Sequence, residues 1–205
     1  MSDFNITLKN VRLSFPRLVA PEAFKGKGGE TSEPRFSAAF LIPKDDAETV
    51  QVIKSVMANC AKDKWPKDWQ DELKRLSAGN RICLVDGDTQ TYDGYEGMYA
   101  LRTSSQATRP PTLVNEYAVE IKRDDPTTLA KFYAGCMVNA IVRFWAQGAE
   151  SGYGKRINAN LLAVQFAGDA QAFGAVKVSA DAFDPVEGVP DAMEAALSKN
   201  DADWM

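Results

Sequence analysis

The sequence predicts a mainly β fold with inserted helices, an α+β arrangement in which an antiparallel barrel is followed by an acidic C-terminal segment. Three observations predict it. Apolar and polar residues alternate in several short runs, as in half-buried strands. One stretch after residue 45 repeats its apolar residues at helical spacing instead. Residues 167–205 hold eight acidic and two basic residues, a net charge of −6, which leaves +2 for residues 1–166.

Two strands open the chain. Residues 6–15 alternate with a phase slip at Asn10, which predicts a strand with a β-bulge that Pro16 ends or bends. Residues 35–42 form the second strand, which closes at Pro43. One face of this second strand carries two aromatic rings that we expect in the core, Phe36 and Phe40.

A helical pair follows. Asp45 is the predicted N-cap of the first helix, because Glu48 three residues later completes a capping box. Pro66 breaks the pattern, and a second helix is predicted over 67–77, stopping at Gly79. The first helix presents an apolar face at helical spacing, formed by Val50, Ile53, Val56 or Met57, and Cys60.

The remainder reads mainly as β, with a hairpin loop at 147–154. Five to seven mostly antiparallel strands with an inserted helical pair predict a small closed or nearly closed barrel of the oligonucleotide-binding (OB) type over residues 1–174. A two-sheet sandwich is the alternative. Residues 175–205 are the predicted acidic, flexible tail. The further predicted strands are 82–85, 99–105, 118–122, 133–146 and 156–166.

Composition excludes several classes of site. The chain has no histidine, so His-based triads and His-ligated metals are excluded. Its cysteines, Cys60, Cys83 and Cys136, are odd in number and far apart, which favours buried thiols in a reducing compartment over disulfides or a zinc site. No run approaches the ~20 apolar residues that span a bilayer, so we expect an intracellular protein with no membrane partner.

A tyrosine-rich stretch at 86–109 is the most unusual part of the body. Aromatic faces stack on unpaired bases, and nearby cations and hydroxyls bind phosphates, so this composition is typical of a single-stranded nucleic-acid site. The alternative is a hairpin whose rings cover the edge of the core. The candidate contacts in this stretch are Tyr92, Tyr95, Tyr99, Arg102 and Arg109.

The predicted hairpin at 147–154 offers a second set of contacts. Lys155 and Arg156 could clamp phosphates with Tyr153 stacking beside them, and a solvated turn is the alternative. Strand alternation places one of Phe144 and Trp145 in the core. Burial preferences favour the core for Trp145, with an exposed platform as the alternative.

An enzyme interpretation rests on carboxylates in the tyrosine-rich stretch. These side chains could bind Mg²⁺ as nuclease carboxylates do. Asp-Gly pairs are also common in ordinary turns, so we predict no metal, no cofactor and no enzymatic activity. The carboxylates concerned are Asp86, Asp88, Asp93 and Glu96.

Six blocks in this order resemble a family of tailed-phage proteins whose members are similar to phage single-stranded DNA-binding proteins with an OB fold. The resemblance covers about 10–174. The blocks are NVRLSFP (10–16), FSAAFLIPK (36–44), DGYEGMY (93–99), YAGC (133–136), VNA (138–140) and FWA (144–146).

This resemblance implies a sequence-nonspecific protein that coats single-stranded DNA during phage replication or recombination in the cytoplasm of the infected bacterium. It also implies that the acidic tail regulates DNA access and recruits replication or recombination proteins, here through Asp201, Asp203 and Trp204. The Trp-Met ending departs from the terminal Phe usual in such tails. Self-association on DNA is an open expectation. A phage interaction module that does not touch DNA remains the alternative from a different class.

Overall fold

The computed structural model describes residues 4–24, 31–152 and 154–174. Tyr153 and the predicted tail at 175–205 lie outside these residues, so the boundary at residue 174 stays a prediction. The strands are β1 (Asn5–Glu22), β2 (Arg35–Pro43), β3 (Leu84–Asp86), β4 (Met98–Gln106), β5 (Thr112–Val114), β6 (Met137–Gln147) and β7 (Arg156–Gly168). The helices are α1 (Ala47–Lys64), α2 (Trp69–Ala78) and the single turn α3 (Pro126–Leu129).

Five of the strands close into the predicted OB-like barrel. Antiparallel ladders join β2 to β4, β2 to β1, β1 to β6 and β6 to β7. The circle closes where β4 pairs with β7 at Ser104 and Asn160, and this contact is parallel. β3 extends the edge of β4, and β5 adds to β7 in parallel. The barrel is therefore confirmed over the sandwich.

Alternation along the barrel strands separates a filled interior from an outer wall. Phe36 and Phe40, 4% and 0% exposed, lie in the core as predicted. Alternation at Phe144–Trp145 is confirmed, because one ring is buried and the other is outside, but the assignment of Trp145 to the core was wrong: Phe144 is 1% exposed, whereas Trp145 is 37% exposed on the outside. Register explains this, because the neighbouring core residue Val142 fixes which side of β6 faces inward.

β1 contains the predicted bulge and continues beyond its predicted end. Asn10 has φ +50°, and the register of β1 against β6 shifts between Leu8 and Val11. Pro16 does not end the strand, which continues to Glu22. A second register shift, between Ser14 and Arg17, surrounds this proline. At such an irregularity a residue without an N–H removes no ladder hydrogen bond, so proline is tolerated there.

The helical pair is confirmed with one correction at its start. The N-cap of α1 is Asp46, whose Oδ1 accepts a hydrogen bond from the Thr49 backbone N–H at 3.1 Å. Asp45 lies one residue too early to reach that donor. α2 ends at Gly79 as predicted. Helix α1 buries Val50, Ile53, Met57 and Cys60 against the barrel.

The predicted strand at 118–122 does not form. Ala118 has φ +61°, and the Asn115 carboxamide oxygen accepts hydrogen bonds from two backbone N–H groups, those of Tyr117 and Val119. This local capture makes a turn, and residues 118–122 contribute one isolated bridge, from Glu120 to Val114, in place of a ladder. Sequence reasoning also missed β5 and α3, both of which are short. It started β6 too early, since residues 133–136 form a turn before Met137.

The three cysteines are buried, as predicted. Burial raises the pKa of Cys60 and of Cys83 to about 12 and that of Cys136 to about 11. Their thiols therefore stay protonated at neutral pH and contribute packing rather than nucleophilic chemistry. Among the described residues, no helix has the length and apolarity needed to cross a membrane.

Candidate nucleic-acid interface

The barrel strands are strongly basic although the chain as a whole is acidic. β1, β2, β4, β6 and β7 contain seven basic residues and a single acidic one, Glu22. Acidic residues are concentrated in the helices, the loops and residues 167–205. A wall with this charge attracts a polyanion, whatever the net charge of the chain. The basic residues are Lys9, Arg12, Arg17, Arg35, Arg102, Arg143 and Arg156.

One part of this wall, which we call the outer barrel face, consists of the outward residues of β1, β2 and β4. Ser14 pairs with Ala39, and Ala39 pairs with Arg102, so these three side chains point to the same side. Ser37 and Ser104 form the next pair along the two strands. Arg102 is exposed and is surrounded by small side chains, which leaves its guanidinium accessible to a phosphate.

Three rings at one end of this face form an aromatic ledge, which we define as Phe15, Tyr92 and Tyr95. Phe15 and Tyr92 are 50% and 52% exposed, and their ring centroids lie 4.8 Å apart in an edge-to-face arrangement. Tyr95 lies beneath both, 5.3 Å from Tyr92 and 6.3 Å from Phe15. Phe15 has φ +45°, part of the distortion around Pro16 in β1. Two exposed rings on a buried support suit base stacking.

Tyr95, one of the candidate DNA contacts, lies in the core. It is 4% exposed and packs against Leu41 and Ala100. Its hydroxyl donates a hydrogen bond to Ser14 Oγ at 3.1 Å, and burial raises its pKa. The alternative, a ring covering the edge of the core, is right for this tyrosine. Its role in the ledge is to support Phe15 and Tyr92.

A strap after β7 holds the loop that carries Tyr92. The Phe173 ring packs so closely on Gly94, which has φ +78°, that a Cβ there would lie 2.2 Å from it. The Asp93 carboxylate accepts the backbone N–H of Gly174 at 2.8 Å. The Arg12 guanidinium lies 4.5 Å from the centroid of the Phe173 ring. These contacts fix the loop on the barrel, so Tyr92 is held in place before any ligand binds.

The other predicted contacts are dispersed. Tyr99 is half-buried on the opposite side of β4, packed against the main core with the Nζ of Lys44 and Lys54 within 5.5 Å of its ring centroid (5.4 and 5.2 Å). Arg109 is exposed in the loop after β4, and Arg156 is exposed at the start of β7. Tyr153, Asp201, Asp203 and Trp204 lie outside the described residues.

Lys155 is engaged within the protein. Its Nζ lies 3.1 Å from Glu72 Oε1 and 5.3 Å from the centroid of the Trp65 ring. Glu72 is 4% exposed and also accepts a hydrogen bond from Arg75. Withdrawing Lys155 would leave a buried carboxylate with one partner fewer. This geometry favours a structural role for Lys155, which connects the β6–β7 loop to α2, over a role in binding phosphate.

The carboxylates of the tyrosine-rich stretch are held by protein groups. Lys44 Nζ lies 2.6 Å from Asp86 and 2.5 Å from Asp88, and these hydrogen bonds raise its pKa. Lys44 and the Gly97 backbone N–H hold the pKa of Asp88 below its usual value. A lysine therefore occupies the place between the two carboxylates. Within the described residues, no group of three or more acidic or cysteine side chains is arranged to hold a metal ion.

Sequence reasoning missed two features of this interface. The sequence pattern placed Phe15 in the first strand and gave it no functional role. Its position beside the predicted break at Pro16 was an available signal, because a side chain at a break need not follow the in–out alternation of the strand. The sequence showed a net charge of +2 for residues 1–166, but not that the basic residues are concentrated on the barrel strands. Counting charges over the predicted strands alone would have shown it.

A closed OB-like barrel with an exposed aromatic ledge beside arginines defines a protein of the oligonucleotide-binding class. The chain belongs to the family of the Enterobacter phage Enc34 single-stranded DNA-binding protein, whose profile matches residues 4–195. It is 34% identical over 182 residues to protein p50 of Acyrthosiphon pisum secondary endosymbiont phage 1, covering 87% of this chain and 92% of p50.

Solved structures of the Enc34 protein resemble the fold. The free protein superposes with a TM-score of 0.65 at 29% identity, covering 88% of this chain and 90% of that one. The protein in complex with single-stranded DNA gives 0.66 at 30% identity, covering 83% and 89%. Bacteriophage T7 gp2.5, with a TM-score of 0.52 and 8% identity over 93% of this chain and all of that one (100%), shares the fold alone.

Proposed function

We propose that this chain is a non-enzymatic, sequence-tolerant single-stranded DNA-binding protein that coats DNA during phage replication or recombination in the host cytoplasm. The observation that carries the proposal is the juxtaposition of the aromatic ledge with Arg102 on a barrel wall that has one acidic residue among its five strands. Membership of the Enc34 family supports it. The Enc34 protein has been solved in complex with single-stranded DNA.

In this proposal the exposed rings of Phe15 and Tyr92 stack on unpaired bases, and Arg102 binds a phosphate of the same strand. Stacking uses the face that every base presents, so the contacts carry no sequence preference. Arg102 forms no salt bridge with any residue that the structure describes, so binding a phosphate breaks no internal ion pair there. Arg156, exposed at the start of β7, and Arg109, exposed in the loop after β4, extend the electrostatic attraction. Tyr153 remains a proposed contact.

Fluorescence anisotropy with a labelled oligonucleotide tests this function. We expect binding to mixed-sequence single strands with similar affinities and much weaker binding to the matched duplex, whose bases are already stacked. Affinity should fall linearly on a log–log plot against salt, with a slope of about −0.7 for each phosphate contacted. Equal affinity for duplex, or binding indifferent to salt, would contradict the proposal. Substrate cleavage on added Mg²⁺ would favour the nuclease alternative.

We further propose that the acidic tail regulates access to the basic wall and recruits replication or recombination proteins. This proposal is supported by the separation of positive and negative charge along the chain. The barrel strands are basic, whereas residues 167–205 have a net charge of −6. A tethered acidic segment competes with DNA at a high effective concentration. Trp204, flanked by Asp203, supplies an apolar anchor that a partner's pocket could bind.

Deleting residues 175–205 should therefore strengthen single-stranded DNA binding at low salt, with a gain that shrinks as salt screens the competition. Anisotropy titrations over a salt series measure this. Trp204→Ala is the matched control, because it removes no charge and should leave DNA affinity unchanged while abolishing capture of a partner that binds this indole. A truncated protein that remains folded and binds no more tightly at low salt would refute the competition.

A further inference from the structure

Trp145 is an exposed indole that the contacts proposed above do not use. It lies on the outer side of β6 and is 37% exposed. Its Nε1 donates a hydrogen bond to Asn160 Oδ1 on β7 at 3.0 Å. This bond restricts the orientation of the ring, so little side-chain entropy remains to be lost when a flat ligand contacts it. The indole is therefore preorganised.

Polar and cationic side chains surround Trp145 on the same side of the β6–β7 hairpin. Asn158 pairs directly opposite it, Arg143 pairs with Asn160, and Arg156 pairs with Gln147. Both arginines are exposed, and neither forms a salt bridge with a residue in the described ranges. An aromatic ring surrounded by amides and cations has the composition of a nucleotide-binding site. The ring and the amides contact the base, and the cations bind the phosphate.

This surface is continuous with the outer barrel face. Asn160, which anchors the indole, pairs with Ser104 on β4, two residues from Arg102. Arg35 Nη1 donates a hydrogen bond to the same serine hydroxyl at 3.4 Å. β7 lies between β4 and β6, so β4 and the strand that carries Trp145 are two strand spacings apart, about 10 Å in total.

No negative charge interrupts the path from one surface to the other. β4, β6 and β7 contain no acidic residue at all. Continuity and charge therefore favour one polyanionic strand crossing both surfaces over a separate protein partner docking on the hairpin.

We infer that Trp145 and Arg143 form a second single-stranded DNA contact, reached by a strand that leaves the aromatic ledge, passes Arg102 and crosses the β4–β7 seam. This inference rests on the proposed function and extends it by assigning the path of the DNA around the barrel. A short oligonucleotide fills the contacts at the ledge, and only a longer one reaches the indole.

The test compares Trp145→Ala with the wild-type protein on fluorescein-labelled oligothymidylates of about 4 and about 16 nucleotides, the range of site sizes for one OB fold. We expect the variant to lose about 5- to 150-fold in affinity for the long oligonucleotide. Its affinity for the short one should be unchanged. Tyr117→Ala is the matched control, because this ring is 79% exposed in the turn at 115–120 and should affect neither length.

Intrinsic fluorescence gives a second readout that does not depend on the alanine variant folding. The long oligonucleotide should quench tryptophan emission of the wild-type protein more than the short one does, and Trp145→Phe, which keeps an aromatic ring, should remove that difference. An alanine variant with unchanged affinity for the long oligonucleotide overturns the inference, as does equal weakening for both lengths. A Trp145→Ala variant whose oligomeric state changes while its DNA binding stays intact also overturns the inference. Wild-type protein that binds neither length refutes the proposed function itself.

Discussion

Replacing Phe15 and Tyr92 together with alanine should weaken single-stranded DNA binding by about 2–6 kcal/mol, because each ring that stacks on one base contributes about 1–3 kcal/mol. Both rings are about half exposed, at 50% and 52%, so the protein should remain folded. Anisotropy titrations measure the affinity and thermal melts check the fold. No charge is removed, so the slope of affinity against salt should stay that of the wild-type protein.

Two controls separate stacking from other causes of this loss. Tyr117→Ala removes an aromatic side chain that is 79% exposed elsewhere, and its DNA affinity should be unchanged. Arg102→Ala removes a charge from the outer barrel face, so it should reduce the magnitude of the salt slope by about 0.7. A folded Phe15/Tyr92 double variant with wild-type affinity would remove the ledge from the interface.

Replacing Tyr95 with alanine should lower the free energy of unfolding by about 3–5 kcal/mol, the range for truncating a large buried aromatic side chain. The ring is 4% exposed, and its removal leaves a cavity against Leu41 and Ala100. Urea denaturation followed by circular dichroism measures the change as a lower midpoint. A midpoint within error of the wild-type value would place this ring outside the core.

A double-mutant cycle isolates the hydrogen bond of Tyr95. Tyr95→Phe removes the hydroxyl that donates to Ser14 Oγ and leaves a serine hydroxyl in a side chain that is only 3% exposed. An unpaired buried group costs about 1–3 kcal/mol, so the single variant should be destabilised by that amount. Adding Ser14→Ala removes the unpaired hydroxyl and should restore part of the loss. Simple additivity of the two substitutions would contradict the bond.

Local patterns predicted most of the fold. Alternation at 35–42 identified β2, and helical spacing after residue 45 identified α1, because a buried face imposes its own period on the sequence. A long apolar, β-rich run at 156–166 identified β7. The phase slip at Asn10 predicted a real bulge. The failures at 112–114 and 118–122 have different causes. β5 contains too few residues to display a period, whereas the turn at 115–119 depends on the side chain of Asn115.

In the tyrosine-rich stretch, residue type alone does not predict the role of each side chain. Three tyrosines of the same chemistry take three different roles: Tyr92 is exposed, Tyr95 lies in the core, and Tyr99 packs on the opposite side of β4. Lys155 has the chemistry of a phosphate ligand, yet it is paired with Glu72 on α2, some eighty residues earlier in the chain.

The sequence by itself determined that this protein has a β-rich body with a helical pair, buried thiols, no histidine chemistry and an acidic C-terminal segment. It also determined the strand periodicity, since hydrophobic burial acts on neighbouring residues of one chain. Only the tertiary structure decided which side chains meet. Closure of the barrel brought Phe15 of β1 against the loop before β4, and it placed Asn160 of β7 beside Ser104. Contacts between residues so far apart depend on strand order and register, which local spacing does not encode.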